Sequence, residues 1–240
     1  TGNREDLSDM IYNISPSETP ILSAIKKKKA TNTLHQYQTD TLAAAGANAA
    51  IEGDDAQDGN AIVATTALNN YTQILKKKIT ISGTQEKGMN HAGVKSEMAY
   101  QEAKKMKEIK LDLEFAILDN GLAVGNAKVA GNATTAREMA SLATYLTENI
   151  SVGAGGAASA GTGADLLSAG TDRDLTEALL TTVLASCFTN GANPTLLAVS
   201  ATNKGVVSGF TGGGTRYVDT DDKKLVNSID VYVGDFHTLK

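Results

Sequence analysis

Two strand-like segments separated by a long stretch without a regular pattern constrain the fold of this 240-residue chain most strongly. Residues 33–42 are rich in threonine and polar groups. In residues 70–82, Ile79 and Ile81 alternate with polar residues, a period typical of strands. Residues 43–69 between them are rich in Ala, Gly, Asp and Asn. A compact domain rarely carries so long an unstructured loop, and an isolated hairpin is marginal in water. We therefore predict a long antiparallel hairpin that rests on another subunit.

The composition predicts a thin core and no strongly basic surface. Aromatic residues make up 5% of the chain and Trp is absent, although large rings normally supply much of a core's buried area. The net charge of -5 lacks the basic excess of proteins that coat nucleic acid. Basic residues do cluster locally, at 26–29, 76–78 and 104–110. One surface could therefore be positive while the rest of the molecule is negative.

Apolar residues recur at helical spacing in three segments within the first two thirds of the chain. Residues 1–30 resemble an arm, with a short apolar helix opened by Pro20. Residues 94–119 predict a long amphipathic helix lying across a sheet, with Ala99, Ala103 and Met106 on its apolar side. Residues 135–148 predict a second helix, and the Gly-rich sequence from 151 to 163 is the best linker candidate.

Residues 171–234 predict a separate α/β unit. Thr171 and Asp174 have the spacing of a capping box, and the helix that follows should end at Asn190-Gly191. We then expect a strand over 195–200, a short helix over 201–210 and a strand over 225–233. Cys187 lies within the first helical pattern, which favours a small buried hydrophobe over a reactive thiol.

Three segments carry a resemblance to a known family. Residues 2–20 (GNREDLSDMIYNISPSETP), residues 70–74 (NYTQI) and residues 96–101 (SEMAYQ) resemble the major capsid, or major head, proteins of tailed bacteriophages. The resemblance covers most of the chain and is strongest over residues 2–120. It implies an α+β protein with the tailed-phage capsid fold. The parts would be an N-terminal arm over 1–32, an extended β-hairpin loop over 33–88, a peripheral domain over 89–170 with spine helix 94–119, and an α/β axial domain over 171–240.

The same resemblance implies a structural role rather than catalysis. Such proteins form the icosahedral head around double-stranded DNA as hexamers and pentamers. Portal, scaffold or decoration proteins are further partners on this interpretation, together with non-specific contact to packaged DNA. The protein would be made in the host cytoplasm, without a membrane span, and would reside in the virion. We expect both ends of the chain to be cut, since it starts at Thr1 and stops just after a strand-like segment.

The residues that we expect at contacts between subunits lie on the hairpin and just after it. The loop between the two strands is acidic, and the segment that follows is basic, so the tip of one copy could dock on the basic segment of the next. The predicted contact residues are Tyr37, Asp54, Asp55, Asp58, Tyr71, Lys76, Lys77 and Lys78.

Other functions remain open at this point. The Gly-rich stretch 153–163 could bind a nucleotide or phosphorylated substrate in an enzyme, although no strand precedes it and no Gly-Lys-Ser/Thr follows. The loop carboxylates could hold Ca²⁺, but they lack the alternate spacing of an EF-hand. No His/Cys ligand spacing or catalytic triad is present, so we expect neither a cofactor nor a metal. A bacterial compartment shell of the same fold is a further alternative.

Overall fold

The computed structural model describes residues 11, 16–49, 51–53, 62–88, 93–119, 125–210, 231–234 and 238–239. They form a mixed α+β structure of short helices, two small antiparallel sheets and one long helix. In chain order the elements are α1 (Pro20–Ala24), β1 (Leu34–Thr39), β2 (Thr66–Tyr71), α2 (Gly83–Gly88), α3 (Glu97–Leu118), a 3-10 helix (Leu142–Tyr145), α4 (Glu177–Thr189), α5 (Ala201–Ser208), β3 (Tyr232–Val233) and β4 (Thr238–Leu239).

The long helix α3 confirms the strongest helical prediction. The Ser96 side chain accepts a hydrogen bond from the Ala99 amide, so it caps the first turn. Glu86, on α2, accepts from the Ser96 hydroxyl at 2.7 Å and from the Met98 amide at 3.0 Å. A carboxylate at a helix N-terminus also matches the positive end of the helix dipole. In the described part of the chain α3 contacts mainly α1, α2 and the 3-10 helix, so the prediction that it lies across a sheet is wrong for that part.

The chain itself covers the polar side of the first half of α3. Glu97 and Gln101 are partly buried, and the side chains of Lys105 and Glu108 are 31% and 29% exposed. On the apolar side predicted from the sequence, Ala99 and Ala103 are exposed and Met106 is 60% exposed. The amphipathic pattern is therefore satisfied by the chain's own packing only further along, where Ala116 is 3% exposed.

The predicted hairpin forms, but its second strand lies earlier than expected. Strands β1 and β2 pair antiparallel, from Leu34 opposite Tyr71 to Thr39 opposite Thr66. The strand predicted over 70–82 is wrong beyond Tyr71, because residues 72–82 have no regular secondary structure. Ile79 and Ile81 are partly buried, whereas Lys78, Thr80 and Ser82 are exposed. The period of two therefore reflects alternating burial along a segment that pairs with no strand.

The helix predicted over 135–148 does not form. Val129 and Glu138 exchange backbone hydrogen bonds, and the Ser141 amide donates to the Asn126 carbonyl at 2.9 Å. Ser141 and Thr144 are fully buried, which leaves only the short 3-10 turn at Leu142–Tyr145. Backbone groups that a helix would pair locally are instead paired with Asn126 and Val129, and the Met139 and Ala140 amides donate to the side chains of Gln73 and Asn70.

The Gly-rich stretch is closely packed rather than a free linker, which corrects that expectation. Ala157 and Ser168 form an antiparallel bridge, and the Gly153 amide donates to the Ala169 carbonyl at 2.8 Å. A Cβ on Gly156 would lie 2.7 Å from the Ser168 carbonyl oxygen. Small residues are needed here because backbone segments meet without space for side chains.

The C-terminal third of the chain agrees only in part with the helices and strands predicted from the sequence. Helix α4 ends at Asn190-Gly191 as predicted, but its cap is Thr176, whose side chain accepts from the Leu179 amide, and not Thr171. Helix α5 confirms the short helix predicted over 201–210. The strand predicted over 195–200 is absent: residues 192–200, which the structure describes, have no regular structure. Of the strand predicted over 225–233, residues 225–230 lie outside the described residues, and Tyr232–Val233 pairs with Thr238–Leu239.

Helix α1 is held to α3 by a carboxylate. Glu114 accepts hydrogen bonds from the amides of Ile21 and Leu22, both at 3.3 Å. Leu22 is 7% exposed and Glu114 is 9% exposed, so both residues are largely shielded from water. A five-residue helix is too short to be stable alone. The docked carboxylate therefore fixes the α1 part of the arm to the long helix.

We expect Glu114→Ala to release α1. Removing the acceptor leaves two amides without partners, which costs about 1–3 kcal/mol of unfolding free energy if they stay buried. Hydrogen exchange should show faster exchange at Ile21 and Leu22, and Glu114→Gln, which keeps an acceptor, should lie between. Unchanged protection of both amides in Glu114→Ala would contradict this account.

Candidate inter-subunit interface

The hairpin formed by β1 and β2, together with residues 40–65 that join them, is here called the ribbon. Along β1 only Leu34 is partly buried, and residues 35–39 are exposed. On β2 the last four residues, Leu68 to Tyr71, are partly buried. The ribbon thus contacts its own subunit at one end, here called the root, and projects from it at the other.

Asn70 fixes the root to the rest of the subunit. Its side-chain amide donates to the Ala140 carbonyl at 3.2 Å, and its side-chain oxygen accepts from the Ala140 amide at 2.9 Å. The Asn70 side chain thus makes with Ala140 the two hydrogen bonds that the backbone of a neighbouring strand would make. Ala140 is 5% exposed, so the pairing also satisfies buried backbone groups.

Lys128 and Tyr145 hold the neighbouring residue, Asn69. The Lys128 ammonium donates to the Asn69 side-chain oxygen and to the Thr162 carbonyl, both at 2.6 Å. The Tyr145 hydroxyl donates to the Asn69 carbonyl at 2.9 Å. Further along, Arg137 donates to the Thr72 carbonyl. Residues 69–72 are therefore fixed by side chains from 128 to 145, and the direction in which the ribbon leaves the subunit is set there.

Beyond the strands, the ribbon carries large aliphatic side chains in water. Leu42 is 99% exposed and Ile62 is 98% exposed, and Ile51 and Val63 are 80% and 82% exposed. Burying one such side chain is worth about 1.5–3 kcal/mol. Four of them on one projecting segment are typical of a surface that is covered by a partner.

The structure places the predicted contact residues in two groups. Tyr37 lies mid-strand on β1 and is 44% exposed, whereas Tyr71 lies at the root. Lys76 and Lys78 are exposed on the irregular segment after the ribbon. Lys77 pairs with Asp112 of α3 at 2.6 Å, and this hydrogen bond raises the pKa of Lys77. Asp54, Asp55 and Asp58 lie outside the described residues, as does the tip that the docking prediction needs.

The residues that hold the root were missed at the sequence level. Asn70 and Ala140 are 70 positions apart, and Lys128 lies 59 positions from Asn69. One signal was present: consecutive asparagines at 69–70 are unusual in a strand and indicate that side chains there have specific partners.

The comparison with known families covers the whole chain. The model of the SU10 major capsid protein family matches residues 1–240. The chain belongs to this family. The resemblance to phage major capsid proteins found in residues 2–20, 70–74 and 96–101 is thereby confirmed.

A relative that is itself a phage major capsid protein supports the same family. The major capsid protein of Escherichia phage Phieco32 is 39% identical over 118 residues, which cover 49% of this chain and 33% of the relative. The matched segment thus spans about a third of that relative's length. The SU10 family and this relative both carry the description of a major capsid protein, as the sequence predicted.

Two further properties concern the described parts of this capsid-family chain. Within them, no group of three or more His, Cys, Asp or Glu side chains is placed to hold a metal ion. None of the helices there combines the length and apolar character needed to cross a bilayer.

We expect Asn70→Ala to weaken the root. The substitution leaves the buried Ala140 amide without its acceptor, which should lower the unfolding free energy by about 1–3 kcal/mol. Gln38→Ala is the matched control, because Gln38 is exposed and its side chain accepts a hydrogen bond from the exposed Thr65 hydroxyl. Chemical denaturation of both variants measures the difference. Equal stability of the two would show that the root is not held by Asn70.

Stability at high pH should depend on Tyr145. Burial, and to a lesser extent the nearby Tyr37, raises the pKa of Tyr145 to about 12. Because an unfolded tyrosine has a pKa of about 10, folding favours the neutral phenol, and its contribution is complete below about pH 10. That contribution is lost as the pH rises from about 10 towards 12. The stability advantage of the native chain over Tyr145→Phe should shrink across this interval, and a constant difference would contradict it.

Proposed function

We propose that this protein is a structural subunit that assembles into the icosahedral head enclosing the double-stranded DNA of a tailed phage. Its ribbon would lie on an adjacent copy within hexamers and pentamers. Membership of the SU10 major capsid protein family supports a structural role in a virion rather than an enzymatic one.

The observation that carries this proposal is the contrast between the two ends of the ribbon. Its root is held by Asn70, Lys128 and Tyr145, whereas Leu42 and Ile62 beyond the strands are almost completely exposed. A fixed projection that presents aliphatic side chains gains burial only from another molecule. Because every copy carries the same ribbon, each can reach the next in a head-to-tail contact that closes into a ring.

We propose the division of the chain into domains on the same basis. An arm over 1–32, a hairpin loop over 33–88, a peripheral domain over 89–170 and an axial domain over 171–240 would be the parts of the capsid fold. The order of α1, the ribbon, α3 and the helices α4 and α5 supports this division. The small core supports it too, since only six apolar residues are buried among those described.

Contact with packaged DNA would be local and independent of sequence. Lys26 to Lys29 directly follow α1 and are all exposed. Lysines bind phosphate without selecting bases, and such contacts weaken with salt. Portal, scaffold or decoration proteins would be the remaining partners of the assembled head.

The nucleotide-binding alternative finds no support in the Gly-rich stretch. A phosphate loop needs free amides at the start of a helix. Here Gly153 and Gly156 face the chain's own backbone at residues 168–171, and the next helix begins only at Glu177. The Gly153 and Gly156 amides donate to the Ala169 and Gly153 carbonyls, so neither is free to bind a phosphate.

Electron microscopy and sedimentation of the purified protein test the proposal. We expect closed particles tens of nanometres across, a size typical of icosahedral shells, and their nucleic-acid content separates a phage head from a compartment shell that encloses enzymes. A monomer under every assembly condition, with protected amides along the ribbon, would overturn the proposal.

A further inference from the structure

Helix α4 ends on an Asn-Gly pair, a dipeptide that is prone to spontaneous loss of the asparagine side-chain amide. The backbone nitrogen that follows an asparagine can attack its side-chain carbonyl carbon, and glycine has no side chain to obstruct this approach. Asn190 and Gly191 are both exposed, and Gly191 has a φ of 72°. A Cβ on Gly191 would meet no atom within 4 Å. The pair is therefore sterically open to this chemistry.

The reaction at this pair needs only water. A bond forms between the Gly191 nitrogen and the Asn190 side-chain carbon. The side-chain nitrogen leaves as ammonia, taking up the proton that the backbone nitrogen gives up. Water then opens the five-membered imide ring and leaves an aspartate or an isoaspartate. The outcome is a carboxylate at position 190 in place of an amide.

The folded end of α4 holds both reacting groups. The Gly191 amide donates to the Phe188 carbonyl at 3.1 Å, as part of the hydrogen bonds that end the helix. The Asn190 side-chain nitrogen donates to the Asn149 side-chain oxygen at 2.7 Å. Since the attacking nitrogen and the leaving amide are both engaged, the ring can close only after this end of α4 opens locally.

Asn149 is the residue that holds the last turn of α4 in place. Its φ of 57° lies in the left-handed region, which asparagine tolerates better than most residues. Its side-chain oxygen accepts from the Ser186 hydroxyl at 2.8 Å as well as from Asn190. Ser186 and Asn190 are four residues apart and therefore lie on the same side of the helix. One amide oxygen thus fixes the last turn to the segment before the Gly-rich stretch.

The product of the reaction does not fit this closed arrangement. The Glu148 carboxylate lies 3.4 Å from the Asn190 side-chain nitrogen, which donates to it. A carboxylate at position 190 has no hydrogen to donate to Glu148 or to Asn149. It also places two negative charges next to each other, which repel. The modified end of α4 therefore stays open, and the change runs in one direction.

We propose that Asn190-Gly191 is a conditional modification site. Asn149 keeps the amide intact while α4 is docked, and detachment of the helix end lets the amide convert to a carboxylate that prevents re-docking. Asn149 acts as a positioning residue and takes no part in the bond changes. This inference goes beyond the proposed function and applies to a single subunit. In the proposed division into domains, the contact joins the peripheral part to the axial part.

Mass spectrometry of peptides from the aged protein tests the role of Asn149. The purified protein is incubated at neutral pH, and the peptide containing residue 190 is followed for the mass gain that accompanies replacement of an amide by a carboxyl group. Asn149→Ala should convert about tenfold faster than the native chain, because the loss of two hydrogen bonds raises the population of open helix ends. Equal rates would overturn the role of Asn149. The Asn-Gly pair at 120–121, outside the described residues, is followed in a separate peptide.

Two controls separate local opening from intrinsic reactivity. In denaturant, the native chain and Asn149→Ala should convert at the same rate, because the sequence around position 190 is identical in both. Absence of conversion there would overturn the site itself, and a folded native chain that converts as fast as the unfolded one would show that the amide is not held. Thr182→Ala removes a hydroxyl that bonds within α4, to the Ala178 carbonyl, and should leave the rate unchanged. Acceleration equal to that of Asn149→Ala would reduce the effect to general stability and overturn the positioning role.

Charge rescue tests the one-way step. Asn190→Asp should speed hydrogen exchange about tenfold at the amides of residues 190 and 192, which donate to carbonyls of α4 in the native chain. Adding Glu148→Gln should restore most of the protection, because the glutamine amide can donate to the new carboxylate. Full protection in Asn190→Asp alone, or no recovery in the double variant, would overturn the block on re-docking.

Discussion

Replacement of residues 40–65 by an Asn-Gly turn should abolish stable particles while the subunit stays folded. Thr39 and Thr66 are directly opposite each other, so a two-residue turn can join them without disturbing the six pairs of the ladder. The root contacts of Asn69 and Asn70 lie outside the deleted segment. The subunit therefore loses only the part that we expect to be buried on a neighbour.

Two measurements check this result. Thermal unfolding of the dissociated subunit should be unchanged, and sedimentation should show loss of closed particles. A control chain keeps the ribbon but replaces Leu42, Ile62 and Val63 by Ser. Because the expected driving force is burial of about 1.5–3 kcal/mol per aliphatic side chain, this control should also lose particles. Normal particles from the shortened chain would contradict our interpretation of the ribbon.

Gly153→Ala should cause the largest loss of stability of any single substitution discussed above. A Cβ at this position would overlap the carbonyl oxygen of Thr171, and the Thr171 carbonyl carbon and amide nitrogen would both lie 2.8 Å away. Backbone atoms cannot rotate aside as a side chain does, so the two segments must separate. The hydrogen bond from the Gly153 amide to the Ala169 carbonyl would be strained as well. We expect the unfolding free energy to fall by about 3 kcal/mol.

Gly205→Ala is the matched control for this substitution. Gly205 lies within α5, and a Cβ there would meet no atom within 4 Å. Alanine is the better helix former, so this change should stabilise the protein by about 0.5–1 kcal/mol. Denaturant unfolding of both variants gives the contrast. A Gly153→Ala protein as stable as the native one would show that residues 153 and 171 do not pack as described.

Local signals in the sequence were enough to predict those helices whose ends are marked by a capping residue, Pro or Gly. Helix α3 has Ser96 to cap it and contains neither Gly nor Pro, so its position could be predicted to within a few residues. The same holds for the start of α1 at Pro20 and for the end of α4 at Asn190-Gly191. The short motifs in 2–20, 70–74 and 96–101 were enough to indicate the capsid family. The division of the chain into domains remains a proposal.

The candidate interface was predictable only in outline. The acidic, Gly- and Ala-rich sequence over 43–69 indicated a projecting hairpin, and Tyr37 was placed on it correctly. The root was not foreseen, because Asn70 and Lys128 become partners only when residues 59–70 positions apart are brought together. Nothing local distinguishes a lysine that donates to Asn69 from a lysine in water.

The sequence by itself determined that there would be a long amphipathic helix, a polar projecting hairpin and a small core. Only the tertiary structure decided that β2 spans Thr66–Tyr71, that residues 135–148 form no helix, and which side of α3 the chain covers. The physical reason is the range of the interactions. A helix and its caps satisfy backbone groups within four residues. Strand register and helix burial instead depend on partners that the fold brings from far along the chain or, in an assembling protein, from another copy.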